Sequence, residues 1–172
     1  MNRDQFLQTV RLAARIHGLI LARMPRLTKD LNKVVKDHSS LFKRPTADQL
    51  ETLANELPVL VLILVIQEME RLDLAPDDDM AEFLKSSLIH FFASHYIPLY
   101  LEHKDPIKET LTRVDWYLDG SGKTPESLFA GLVRGLLPGC KEEMTEPVVD
   151  FINNSVLPQV KKALDLAPRY RL

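Results

Sequence analysis

Leu57-Pro58-Val59-Leu60-Val61-Leu62-Ile63-Leu64-Val65-Ile66 is a run of ten residues with no charge and no hydrogen-bonding side chain. The rest of the chain has to be arranged around it. Ten apolar residues are too few to cross a bilayer, which takes about 20 in a helix. The run is apolar on every side, so a two-faced surface helix does not describe it, and other elements must wrap it. Val and Ile favour a buried strand locally. The flanks favour a helix. No turn residue separates Ile66 from Gln67-Glu68-Met69-Glu70-Arg71-Leu72. Pro58 suits a first helical turn, where its missing N–H has no intrahelical acceptor. The stretch predicts a central apolar helix, Leu57–Leu72.

Working outward, Asp4 to Met24 reads as a helix. Phe6, Val10, Ala13, Ala14, His17, Leu21 and Met24 form its inner stripe, and Asp4, Gln8, Arg11 and Arg15 its outer one. Pro25 is expected to stop it, and Thr28 to cap a second helix from Lys29 with Leu31, Val34 and Val35 inward. Thr46 and Gln49 stand in the capping-box relation. They open a short helix to about Asn55, just ahead of the central one. Downstream, Asp77-Asp78-Asp79 begins a helix reading to Glu102, which carries Phe83, Phe91, Phe92, Tyr96 and Tyr100. Pro98 either kinks that helix or splits it. Pro106 starts the next, with Ile107, Leu111, Val114 and Leu118 at intervals of three and four. Thr124-Pro125 starts another. A last helix spans Lys141 to Asp165, interrupted at Pro147 and Pro158. Alternating strand patterns are nearly absent. The expected fold is all-α: a compact bundle of about six to eight helices in one domain, residues 1–172.

The bulk properties agree with a globular domain. The chain has 172 residues, 45% of them hydrophobic and 27% charged, with a formal net charge of -2. That balance argues against a bulk polyanion such as nucleic acid as the partner. The single cysteine, Cys140, forms no intrachain disulfide. The opening residues lack an apolar signal region, and the reading is of a cytoplasmic chain without a transmembrane segment.

Motifs for chemistry fail one by one. Gly122-Lys123-Thr124 ends like a phosphate-binding loop, but Tyr117 stands where that motif needs its first glycine, and the preceding segment reads as helix rather than strand. His90 and His95 are about 140° apart around a helix, so they do not converge on a metal, and no His-Glu-x-x-His occurs. His95 with Glu102 or His103 is the least unfavourable ligand set. Asp77-Asp78-Asp79 lacks the calcium-loop pattern and reads as a helix start. Cys140 beside Lys141 is the best nucleophile by type, without an identifiable base. The reading therefore names no catalytic residue, metal or cofactor.

What remains is surface. Arg11, Arg15, Arg26, Lys29, Lys33 and Lys36 concentrate positive charge in the first quarter of a slightly acidic chain. They are the expected protein-binding residues, facing an acidic partner. The expected function is that of a small helical protein acting through another protein: an adaptor, inhibitor, immunity protein or chaperone. The alternative is a binder of a lipid or other apolar small molecule. Its interhelical pocket would be lined by Leu62, Phe83, Phe91, Phe92, Tyr96 and Tyr100.

Overall fold

A computed structural model describes residues 2–39, 44–75, 77–96, 105–119, 122–137 and 144–167. Helices are the only regular elements among them. They are α1 (Arg3–Leu21), α2 (Met24–Asp37), α3 (Ala47–Leu72), α4 (Asp78–Tyr96), α5 (Pro106–Leu118), α6 (Pro125–Leu136), α7 (Thr145–Phe151) and α8 (Leu157–Leu166). A π turn, Ile152–Val156, joins α7 to α8 without a break.

The central helix is longer than the sequence suggested. The short helix expected before it and the apolar run are one helix of 26 residues, opened by the Thr46–Gln49 capping box. Pro58 therefore lies in the helix interior and not in its first turn. It leaves the Ala54 carbonyl without its usual donor. The cost is offset by burial, since every residue from Glu56 to Ile66 is inaccessible or nearly so. Fully burying one Leu, Ile or Val contributes about 1.5–3 kcal/mol, and this run buries nine of them. By length and composition α3 would also cross a membrane, but two thirds of its apolar window is covered by the chain itself (67%). Asp73, in the left-handed region at φ 50°, ends the helix.

Around α3 pack α2, α4, α5, α6 and α8, while α1 lies chiefly on α4 and also touches α2 and α8. All contribute to one continuous apolar core. The α1–α2 junction departs from expectation. Helix α1 ends at Leu21, α2 begins at Met24 with Pro25 in its first turn, and Thr28 lies inside α2 rather than capping it. Proline before the first intrahelical N–H bond starts a helix as readily as it stops one. The inner stripe of α1 is also turned. Thr9, Ala13, Ile16, His17 and Ile20 are buried, whereas Ala14 is exposed and Phe6 is 43% exposed. Thr9 tolerates burial because its hydroxyl donates to the Gln5 carbonyl at 2.8 Å.

At the C-terminal end the two expected interruptions have different outcomes. Pro147 falls in the first turn of α7, where it costs no hydrogen bond. Pro158 would remove the donor to the Asn154 carbonyl. The chain absorbs this by widening one turn, and the Leu157 N–H bonds the Ile152 carbonyl five residues back. The Pro98 question lies outside the described residues.

Candidate functional site

Helix α2 is the most strongly two-sided surface element. Met24, Leu27, Leu31 and Val35 are its buried row. Arg26, Lys29, Lys33 and Lys36 follow at spacings of three, four and three, which puts all four within about 80° on the opposite side. All four are exposed. Arg26 pairs weakly with Asp30 at 3.7 Å. Lys29, Lys33 and Lys36 have no ion-pair partner among the described residues. The row is about 15 Å long at 1.5 Å per residue.

This arrangement works against the helix that carries it. Like charges three and four residues apart cost roughly 0.2–0.5 kcal/mol per pair. Arg26 also stands in a first turn that has no acid and no side-chain cap, where the helix dipole disfavours a cation. Only Lys36, in the last turn, is placed with the dipole. The remaining cations of the first quarter lie elsewhere. Arg11 is exposed on the outer face of α1, and Arg15 is half-buried. Arg23 serves the fold: its Nε donates to Gln159 Oε1 of α8 at 3.0 Å, and its Nη1 donates to the Leu19 carbonyl.

The aromatic and aliphatic residues named for an apolar pocket are distributed through the packing. Leu62 is fully buried in α3, and Phe92 is buried in α4. The half-buried Phe83 packs at a tilt on Phe6 of α1 with ring centroids 4.9 Å apart. Phe91 and Phe92 both pack against the His17 ring, at 5.7 and 5.1 Å. The Tyr96 side chain and Tyr100 lie outside the described residues. A cleft of about 410 Å³ does open between the end of α3 and the start of α4, but none of these residues lines it. Its walls are Met69, Leu74 and Leu84 with the acids Glu70, Asp73, Asp77, Asp78 and Glu82. Asp77 is already engaged as a cap, accepting the Met80 N–H at 2.8 Å.

A buried polar cluster joins α3 to α5, and the sequence reading passed over it. Glu56 is only 6% exposed. The Arg113 Nη1 donates to its Oε2, and the Tyr117 hydroxyl donates to its Oε1 at 3.3 Å. Arg113 Nε also donates to Glu109 Oε1 at 3.2 Å. Burial pushes the Glu56 carboxyl above its ordinary range, and Arg113 and Tyr117 pull part of the way back. Burial, then the Glu56 charge, raises the Tyr117 hydroxyl. Each carboxylate oxygen of Glu56 has a partner, so the cluster acts as a tie between helices. The signal was present in the sequence: Glu56 falls on the same helical row as Leu53 and Leu60, where an unpaired charge would be costly.

That tie sets the rotation of α5. With Arg113 and Tyr117 turned to Glu56, the helix buries Thr110, Val114 and Tyr117. Of the apolar row Ile107, Leu111, Val114 and Leu118, only Val114 is buried. Ile107 (38%), Leu111 (41%) and Leu118 (45%) are exposed, as is Trp116 (49%).

The remaining motifs resolve simply. His17 is buried, with His95 5.0 Å away ring to ring, and its pKa falls to about 4 through burial and then the His95 charge. Among the described residues no three His, Cys, Asp or Glu side chains gather to hold a metal. Glu102, His103 and Cys140 lie outside those residues. Lys123 is exposed next to Gly122, whose φ of 80° makes the turn before the Thr124 cap. Compared with protein-family models, curated proteins and solved structures, the chain matches none of them.

Proposed function

We propose that this chain acts by binding another protein, one with an acidic surface, through the outer face of α2. The carrying observation is the row Arg26, Lys29, Lys33 and Lys36: four exposed cations on one stripe, three of them without an ion-pair partner among the described residues, in a chain of net charge -2. A local positive stripe on a slightly acidic protein speeds encounter with an acidic surface and orients it, and the effect weakens as salt rises. The self-repulsion along α2 is relieved when carboxylates of a partner lie over it. Arg11 on α1 is an outlying member of the basic set, and Arg23 does not belong to it. A partner-binding role in the manner of an adaptor, inhibitor, immunity protein or chaperone, inside the cell, is the reading this supports.

The test compares wild type with the double reversal Lys29→Glu/Lys33→Glu as baits in the native host, at low and moderate salt. Both positions are exposed, so helix content and melting should be unchanged. The expected result is a specific acidic partner that wild type retains at low salt, that salt releases, and that the reversal loses. Retention of the same partners by both baits at every salt concentration would remove α2 from consideration. Copurification of a lipid or metabolite in place of a protein would favour the pocket reading.

A further inference from the structure

The exposed row on α5 is laid out for a second α5. Ile107, Leu111, Val114 and Leu118 are spaced four, three and four, the repeat of a two-helix seam. On a helix they fall within about 60° of one another. Val114 forms the floor of the seam against the protein's own core, while Ile107, Leu111 and Leu118 project from it. Large apolar side chains repeated at this spacing on a solvent-facing helix mark an interaction surface more specifically than scattered exposure does. Four of the six large hydrophobic side chains exposed among the described residues are on this one helix.

The charges beside the row name the occupant. Lys108 and Asp115 are seven residues apart, so both lie along the same border of the seam, and both are exposed. Neither has an ion-pair partner among the described residues. When two copies of α5 pair antiparallel about a two-fold axis, Ile107 meets Leu118 of the other copy and the two Leu111 side chains close the middle of the seam above the buried Val114. Lys108 then lies opposite Asp115, and Asp115 opposite Lys108. In a parallel pairing the two-fold axis runs along the helices and puts this border on opposite sides of the seam, so Lys108 and Asp115 of one copy would meet the buried Thr110–Tyr117 border of the other and find no partner charge. The opposite signs at this spacing therefore select the antiparallel, self-complementary arrangement. On the far border, Thr110 and Tyr117 are buried against α5's own neighbours, which leaves one side open for the second helix.

We infer that α5 is the interface of a two-fold homodimer of this chain, with Ile107, Leu111 and Leu118 as its apolar seam and reciprocal Lys108–Asp115 pairs as its specificity. A helix of 13 residues is about 20 Å long, and one such pair buries less than the roughly 800 Å² per partner of a standard interface. The dimer is consequently weak and concentration-dependent. It uses a different helix from the α2 stripe and does not rest on that reading.

Sedimentation equilibrium on the full chain, over a wide concentration range, tests it with four variants: Lys108→Asp, Asp115→Lys, the double swap carrying both, and Leu111→Ser. Circular dichroism confirms that each is folded. Wild type should self-associate. Each single reversal places like charges at both symmetric positions and should raise the dissociation constant about tenfold or more. The double swap should recover most of the wild-type affinity, and Leu111→Ser should abolish association. A wild-type chain that stays monomeric throughout would overturn the inference. So would a dimer indifferent to the single reversals, or a double swap as weak as either one.

Discussion

Replacing His17 with phenylalanine should remove most of the protein's loss of stability in mild acid. His17 is buried between α1 and α4, against Phe91, Phe92 and His95. Its pKa falls from 6.5 to about 4, first through burial and then through the His95 charge. A depressed pKa means that the folded state holds this proton less tightly than the unfolded chain does. The contribution to stability is complete above pH 6.5 and is lost as pH falls toward about 4. The full shift corresponds to about 3 kcal/mol, of which about 2 kcal/mol is already lost at pH 5. Phenylalanine keeps an aromatic ring in that packing and has nothing to titrate. Urea unfolding of wild type and His17→Phe, measured from pH 7.5 down to 4.5, gives the difference directly. Wild type should lose about 2 kcal/mol relative to the variant by pH 5. Equal acid sensitivity in the two proteins, or a His17 ring resonance titrating near 6.5, would refute the reasoning.

The Glu56 tie behaves in the opposite sense: its raised pKa gives stability that is complete below 4.5 and is lost as pH rises through the folded value. Arg113→Ala should therefore destabilise more at pH 7, where more of the carboxylate is charged, than at pH 4.5. The expected cost at pH 7 is about 1–3 kcal/mol, below that of a fully buried pair because the Arg113 side chain is 38% exposed. Denaturant curves at the two pH values check this, and an equal loss at both would contradict it. Leu62→Ala in the fully buried run should cost about 2–5 kcal/mol. Lys123→Ala, on an exposed turn, should leave the melting temperature unchanged and reveal no nucleotide binding for the lysine to support.

The fold was legible where local chemistry acts alone. The Thr46–Gln49 capping box, the Asp105 and Thr124 caps with Pro106 and Pro125 in the first turns, and the uniform apolarity of Leu57–Ile66 all point to their elements without tertiary help. The misreadings share a cause, which is that a residue's local preference is settled by what packs on it. Pro58 resembles a helix start, yet burial of the flanking Leu57, Val59 and Leu60 carries the helix through it. Phe6 resembles core, but at the start of α1 it packs on Phe83 and stays 43% exposed, and Thr9 takes the inner place. Ile107, Leu111 and Leu118 resemble an inner row, until Arg113 and Tyr117 turn α5 toward Glu56. That rotation depends on a contact spanning 57 residues of chain, which no local pattern carries. The basic stripe of α2 was visible as a cluster of residues, but its sharing of one face depended on α2 beginning at Met24.

Hydrogen exchange along α3 distinguishes a Leu57–Ile66 run that is the core of the fold from one that is a face offered to a membrane or a partner. Backbone amides from Leu60 to Ile66 should exchange only through global unfolding, with opening free energies equal to the unfolding free energy and matching those of Val160 and Leu164 in α8. Exchange of those α3 amides through local opening, well below the global value, would contradict the account.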